Sequence, residues 1–303
     1  MDNNCISVII PSYNRKDFIG RAITSVFNQN YDEIEVIIID DGSTDGTFEY
    51  LNEQYKDEKR VKILKNAKNS GAGFSRKAGY QASRGSYLIF MDDDDYYTNF
   101  DFFKHAVDVL NCRPNVGMVS SSSVIEYVND NAFEDSIMNI KGEISGPEYL
   151  SKFQQEYMKS NSTFTTIFRK KTLEEANFKD VDMVNDSTIY LRALLAGDAF
   201  ILDEISGVYR VHSKNITFSL KIKFIIENLI EKKRVYDEIK SRSLLDNPSE
   251  WLQKQVLLTA AYFVQYNNVS DDDFNELIAW CADNCEDVAS IIIEKLTDIR
   301  GRA

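Results

Sequence analysis

Cysteine is scarce: four residues in 303, at Cys5, Cys112, Cys281 and Cys285. Cys281 and Cys285 have helical spacing, not the short pairing of a zinc site. Free, mostly buried thiols in a reducing compartment are expected. No basic N-terminal segment precedes a long apolar one, so no signal peptide is read. No apolar run reaches the roughly 18–20 residues that cross a bilayer. The expected location is the cytoplasm, with at most peripheral contact at the inner face of the cell membrane. Positive charge is in the minority. Thirty-five Lys and Arg against 48 Asp and Glu give a net charge of −13, which argues against a general nucleic-acid binder. Internal repeats and low-complexity tracts are also missing. What remains is 43% apolar, 12% aromatic and 27% charged, a globular composition with ample material for a core. Its length suits one large domain, or a main domain with an extension.

The first ninety residues alternate regularly. CISVII (5–10), EVIIID (35–40), VKIL (61–64) and SYLIFM (86–91) read as strands. Between them lie helical patterns at about 15–30, from Ser43-Thr44-Asp45 to Tyr55, and at about 72–83. The strand cores are continuous apolar runs, so they predict a parallel sheet covered on both faces. The middle is less regular. Val116–Ser122 reads as a strand and 123–145 is ambiguous. Gly146-Pro147-Glu148 opens a helix to about 157. Thr163–Arg169 reads as a strand, Asn185–Ala196 as a helix, and Phe200–Asp203 and Gly207–Val211 as two short strands. From about 219 only helical patterns remain, with breaks near Asn247-Pro248 and Val269-Ser270. This composition shift predicts two regions, 1–218 and 219–303. Charge shifts too: residues 211–242 hold eight Lys/Arg against four acids, and 243–303 hold four against eleven.

In open α/β sheets ligands bind beyond the carboxyl ends of strands. The polar clusters sit there: PSYNR (11–15), DDGSTD (40–45), NSGAG (69–73) and DDDD (92–95). Four like charges in a row repel one another where they are desolvated. A bound hard cation such as Mg²⁺ or Mn²⁺ would offset that repulsion. Mg²⁺ takes one or two protein carboxylates and completes its shell with water and phosphates. In an extended segment Asp92 and Asp94 would share one side, Asp93 and Asp95 the other. A solvated acidic turn is the plain alternative.

SVIIPSYNR, IIIDDGSTDGT, NSGAGFSRKAGYQASRGSYLIFMDDDD and FKDVDMVNDSTIYLRALLAG together resemble glycosyltransferase family 2 over roughly residues 5–215. The resemblance implies a GT-A fold, an α/β nucleotide-binding sandwich with a mostly parallel central sheet, and a C-terminal helical extension outside the match. It implies an inverting transfer of sugar from a nucleotide diphosphate, UDP most readily, to a hydroxyl of a glycan or lipid-linked glycan. Mn²⁺ or Mg²⁺ would assist, and bacterial-type surface polysaccharide would be the product.

By the same resemblance Pro11 and Tyr13 lie beside the base, and Asp41 accepts from the pyrimidine N3–H while Asp40 orders the loop. Asn69 and Arg76 line the nucleotide pocket, though Arg76 also suits a structural partner of the acidic cluster. Asp92 approaches the ribose, Asp93 is the variable middle position of the nucleotide element, Asp94 holds the metal and Asp95 supports the loop. Asp186 is the general base, or else a helix N-cap. Asn185 departs from the acid usual before it. His212, in YRVHSKNIT, meets the metal or diphosphate, and Arg210 assists the leaving diphosphate or forms a surface ion pair. FRKK (168–171) reads as a basic run on an edge strand.

Three other readings stay open. GAGFSR (71–76) begins like a dinucleotide fingerprint, but Arg76 stands where a small third residue is needed. A sugar nucleotidyltransferase also suits an acidic metal site. Asn185 keeps open a degenerate, binding-only relative. Within 220–240, Leu220, Phe224, Ile225, Leu229, Ile230 and Tyr236 are helically spaced, flanked by Lys221, Lys223, Lys232, Lys233 and Arg234. That helix packs as core, joins a second subunit or lies on anionic lipid.

Overall fold

The computed structural model describes residues 4–182, 184–212 and 220–302. The chain divides into two compact units, residues 1–212 and 213–303. The boundary expected at 218/219 lies outside the described residues, as does the stretch after His212.

The first unit runs β1 (Ile6–Ser12), α1 (Ile19–Phe27), β2 (Ile34–Asp40), α2 (Thr47–Gln54), β3 (Val61–Lys65), α3 (Ala72–Ala82), β4 (Tyr87–Phe90), β5 (Tyr96–Tyr97), α4 (Phe102–Cys112), β6 (Val116–Tyr127), β7 (Ala132–Ser136), β8 (Gly142–Ile144), α5 (Gly146–Lys152), β9 (Thr166–Arg169), α6 (Lys170–Glu175), α7 (Asp186–Leu194) and β10 (Asp198–Val211). The sheet order is β3-β2-β1-β4-β9-β6-β10-β5, with β7 on β6 and β8 on β10.

The first four strands are parallel. Every residue of β1, β2 and β4 is buried, as strands covered on both faces require. Ile19, Ala22, Ile23 and Val26 bury one stripe of α1. Burial of each such isoleucine or valine contributes roughly 1.5–3 kcal/mol. Helix α3 sits tightly on the sheet because Gly79 has no side chain: a Cβ there would meet Ile9 Cγ2 at 2.3 Å. Ser75 and Arg76 ride on that helix.

The second half of the sheet is mixed. Strand β9 pairs antiparallel with both β4 and β6, and β10 pairs parallel with β6. FRKK therefore does not lie on an edge. Arg169 donates to the Leu110, Arg113 and Val116 carbonyls, and Lys170 to the Ser83 carbonyl. The two short strands expected at 200–211 are one long strand, broken in register between Ile201 and Gly207. The ambiguous 123–145 holds the end of β6 with β7 and β8. Three helices differ from the periodicity. Helix α2 starts only at Thr47, because Gly46 is left-handed (φ 85°) and Asp45 accepts from the Thr47 N–H. Helix α1 is confined to Ile19–Phe27. Helix α5 stops at Lys152, and Gln154 two residues on is left-handed (φ 54°).

The second unit is helical: α8 (Ile222–Arg242), α9 (Pro248–Tyr266), α10 (Asp271–Asn284) and α11 (Ala289–Arg300). Asn247 and Ser270 cap α9 and α10. The buried stripe of α8 includes Ile225, Leu229, Lys232, Val235, Tyr236 and Ile239. Ile230, expected on that stripe, is exposed, and Lys232, expected to flank it, is buried. All four cysteines are free thiols. Cys281 and Cys285 are buried, Cys5 is partly covered and Cys112 is exposed. Among the described residues no helix is long and apolar enough to cross a membrane.

Candidate active site

The carboxyl ends of β1, β2 and β4 bring the polar clusters to one edge of the sheet. Pro11 is buried in β1, and Tyr13 just beyond it is exposed. Asp40 ends β2 and Asp41 follows it. The Asp41 carboxylate accepts from Asn66 Nδ2 (2.7 Å), the Gly71 N–H (2.7 Å) and the Ser70 N–H (3.0 Å). The Ser70 N–H is shared with the second oxygen at 3.1 Å, so the three donors fill the roughly four acceptor sites of the carboxylate. Asn69 Oδ1 accepts from the Gly71 N–H at 3.1 Å and shapes the same turn. Asp40 accepts from the Ser43 N–H at 3.2 Å through one oxygen, while its other oxygen is buried with no hydrogen-bond partner among the described residues.

The four aspartates after β4 are not extended. The Asp95 N–H approaches the Asp92 carbonyl at 3.4 Å, closing a turn. The expected two-sided alternation gives way to four different settings. Asp92 Oδ1 meets Arg76 Nη2 at 2.6 Å. Asp93 faces Arg15 Nε at 3.4 Å. Asp94 Oδ2 and His212 Nε2 are 2.8 Å apart. Asp95 is fully buried and accepts from the Arg210 N–H at 3.1 Å. Burial, and then the neighbouring Asp94, push the Asp93 carboxyl up to about 8, against the pull of Arg15. The same two causes push Asp95 well above the usual carboxylate range.

Asp186 is the first residue of α7. Asn185 Oδ1, one residue earlier, accepts from the Thr188 N–H at 2.9 Å and caps the helix. Such a cap stabilises by about 1 kcal/mol. Capping is thus the work of the residue that departs from the family pattern, and the Asp186 carboxylate turns to other partners. Its Oδ1 is 3.2 Å from Arg76 Nη1 and its Oδ2 is 3.9 Å from Lys159 Nζ. Arg76 therefore bridges Asp92 and Asp186. Burial works against the Arg76 cation, and the two carboxylates outweigh it.

Lys159 escaped the sequence reading. It stands alone in an irregular stretch, where neither periodicity nor a motif marks it. Its side chain is only 12% exposed. Burial pushes its ammonium down, and Asp186 opposes the shift. Arg210, expected as a diphosphate contact or a surface pair, is buried and pairs with the partly buried Glu126 at 2.8 Å. The other histidine, His105 on α4, pairs with Glu204.

Asp94 and His212 bring together one oxygen and one nitrogen donor, a set that suits a divalent ion such as Mn²⁺, and in the structure they hydrogen-bond to each other at 2.8 Å. Among the described residues no group of three such side chains gathers. The pair is one side of a shell, which phosphates and water would have to complete.

The profile of the family described as Glycosyl transferase family 2 matches residues 7–194. A Campylobacter jejuni relative, GalNAc(5)-diNAcBac-PP-undecaprenol beta-1,3-glucosyltransferase, is 26% identical over 68% of this chain and 64% of its own. The chain spans between 40% and 64% of the length of the curated relatives it matches first. Residues 1–349 of S. aureus TarS, solved in complex with UDP-GlcNAc, superpose with a TM-score of 0.71 at 17% identity, covering 98% of this chain and 88% of that one. The mannosyltransferase PcManGT of Pyrobaculum calidifontis, solved with GDP-Man and Mn²⁺, superposes with a TM-score of 0.52 at 15% identity, covering 97% and 84%. These likenesses show the fold, a GT-A sandwich. With the family profile spanning well over half its length, the chain belongs to glycosyl transferase family 2.

Proposed function

We propose that the chain is an inverting, metal-assisted glycosyltransferase that moves a sugar from a UDP-linked donor to a hydroxyl of a lipid-linked glycan at the cytoplasmic face of the membrane. One observation carries the reading. Arg76 ties Asp92, on the nucleotide side, to Asp186, the one carboxylate brought in by a different helix. Donor binding and proton abstraction thus sit in one crevice on separate parts of the chain. The UDP-GlcNAc held by TarS, and the undecaprenol-linked substrate in the name of the Campylobacter relative, support the donor and acceptor classes.

In this reading Tyr13 packs on the base, Asp41 takes its N–H in exchange for one of the two Ser70 contacts, and Pro11 and Asn69 border the same pocket. Asp92 meets the ribose, with Asp93 beside it. Asp94 and His212 would hold the ion. When bound, that ion stabilises the charge that gathers on the departing diphosphate. The acceptor oxygen attacks the anomeric carbon as the bond from that carbon to the diphosphate oxygen breaks, and the hydroxyl proton passes to Asp186. One in-line displacement inverts the centre. Arg76 and Lys159 hold the Asp186 carboxylate in place for that proton.

A panel of nucleotide sugars, with Mn²⁺ and an undecaprenyl-diphosphate-linked saccharide, scored for nucleoside diphosphate release and transferred sugar, tests the reading. Acceptor-dependent release from a UDP-sugar is expected. Binding of UDP with no turnover of any donor would point to a binding-only relative. Formation of sugar nucleotide from sugar phosphate and UTP would replace the reading with nucleotidyl transfer.

A further inference from the structure

Tyr209 lies on β10, opposite Ile125 of β6. Successive side chains of a strand face opposite ways. Arg210 turns to Glu126, so Tyr209 lies on the other face, which it shares with Gly207. A Cβ on Gly207 would meet the Phe164 ring at 2.7 Å. Thr163, the residue before that ring, donates through Oγ1 at 2.7 Å to the carbonyl of Phe90, the last residue of β4. This face of β10 therefore looks onto the start of the aspartate turn. The backbone N–H that follows Tyr209, that of Arg210, already donates to Asp95 at 3.1 Å.

The Tyr209 ring is half-buried and packs against the core of the unit. Burial, and after it the carboxylates of Asp95, Asp92, Asp186 and Asp94, push its phenol well above the ordinary value. The group therefore stays a hydroxyl, able to donate. It feels the acids of the turn and the base on α7 together, yet it bonds to none of them. Among the described residues the hydroxyl has no hydrogen-bond partner, and it is not one of the polar atoms closed off from solvent. An open donor thus stands between the two acidic poles of the crevice. With diphosphate on the Asp94 side and the attacking hydroxyl on the Asp186 side, the group between them is the transferred sugar. A tyrosine suits it, with an apolar ring for the C–H face and a polar tip for an oxygen.

We propose that Tyr209 is a specificity-determining residue whose hydroxyl donates to an oxygen of the transferred sugar. This inference rests on the glycosyltransferase reading. A site that hydrogen-bonds a sugar oxygen discriminates against donors that lack or misplace it. Free UDP carries no sugar, so its affinity is independent of the contact.

The experiment compares the full chain as wild type and as Tyr209→Phe, which keeps the ring and its packing and removes only the hydroxyl. UDP affinity is measured by calorimetry with Mn²⁺. The kcat/KM is measured for UDP-glucose, UDP-galactose and UDP-N-acetylglucosamine, and the KM for an undecaprenyl-diphosphate-linked saccharide beside it. UDP affinity and acceptor KM should stay within about twofold. The kcat/KM of the donor that the wild type prefers should fall roughly tenfold, the weight of a lost hydrogen bond, and the ratios between donors should flatten. Unchanged donor ratios would overturn the inference, and with a raised acceptor KM they would move Tyr209 to the acceptor. A parallel loss of UDP affinity would also overturn it, making the tyrosine a support of the aspartate turn. A wild type that turns over no UDP-sugar would remove the glycosyltransferase reading and this inference with it.

Discussion

Asp94, in the turn after β4, and His212, just past the end of β10, are 118 residues apart in sequence, yet their side chains stand 2.8 Å from each other and both are buried. Holding a carboxylate among three other aspartates is unfavourable unless positive charge arrives. Part of it is resident, in Arg76 and Arg15. The remainder is the task assigned to a divalent ion. Mn²⁺ and UDP should then bind cooperatively, and Asp94→Asn should lose most of the Mn²⁺-dependent gain in UDP affinity while its circular dichroism stays that of the wild type. Calorimetry finding the same UDP affinity with and without Mn²⁺ in the wild type would count against the site. At this scale much was legible. The run of four aspartates after an apolar strand marked the candidate site, and Asp186 at the start of a helix marked the second carboxylate against Arg76. The different settings of the four aspartates were not legible, because the turn between Asp92 and Asp95 leaves no alternation to read. Nor was Lys159, whose meaning lies wholly in its distance from Asp186.

At the scale of elements, α3 owes its position to Gly79. A Cβ there would stand 2.3 Å from Ile9 Cγ2 and 2.9 Å from Ile39 Cδ1. Ile9 is branched and fully buried, so it has little room to turn away. Gly79→Ala should destabilise by about 1–3 kcal/mol, the usual range for overpacking. It should also weaken UDP binding, because α3 carries Arg76. A melting temperature and UDP affinity both equal to wild type would show that the packing is looser than the distances require. In the helical unit, α8 buries Lys232 with its ammonium donating to the Gln255 carbonyl (2.9 Å) and to Thr259 Oγ1 (2.6 Å). Its neighbour Glu231 is paired with Arg234. Burial lowers the Lys232 pKa to about 7 from 10.5. Between those two values the unfolded chain binds the proton and the folded chain does not, so stability rises with pH across that window. Below about pH 7 both states are charged and the burial penalty acts in full. Lys232→Met should therefore stabilise most at pH 6–7, and its advantage should shrink toward pH 10. Parallel melting curves for the two proteins across that range would contradict this. The helix itself was legible from its spacing, but its buried side was not. Side chains at 225, 229, 232, 235, 236 and 239 form the stripe, and a lysine on it breaks the apolar pattern.

For the whole molecule, the continuous apolar strands and the polar clusters at their ends foretold the parallel half of the sheet. The mixed half was harder to read, because β9 enters antiparallel between β4 and β6, and β10 shifts register along its length. Pairing of that kind depends on distant partners, not on local pattern. The candidate site joins the two halves: strand ends β1, β2 and β4 supply the polar clusters, and α7 supplies Asp186. On this arrangement binding and proton abstraction are separable. Asp186→Asn tests it most directly, since it keeps the size and the contacts to Arg76 and Lys159 need only a neutral acceptor. Helix capping is untouched because Asn185 provides it. The transfer rate and the UDP affinity of this one variant are measured side by side. UDP affinity should stay within a few-fold of wild type while transfer falls by roughly 10²–10⁴, the range for a lost general base. Transfer near the wild-type rate would contradict the assignment of Asp186, and a matching loss of UDP affinity would contradict the separation of the two roles.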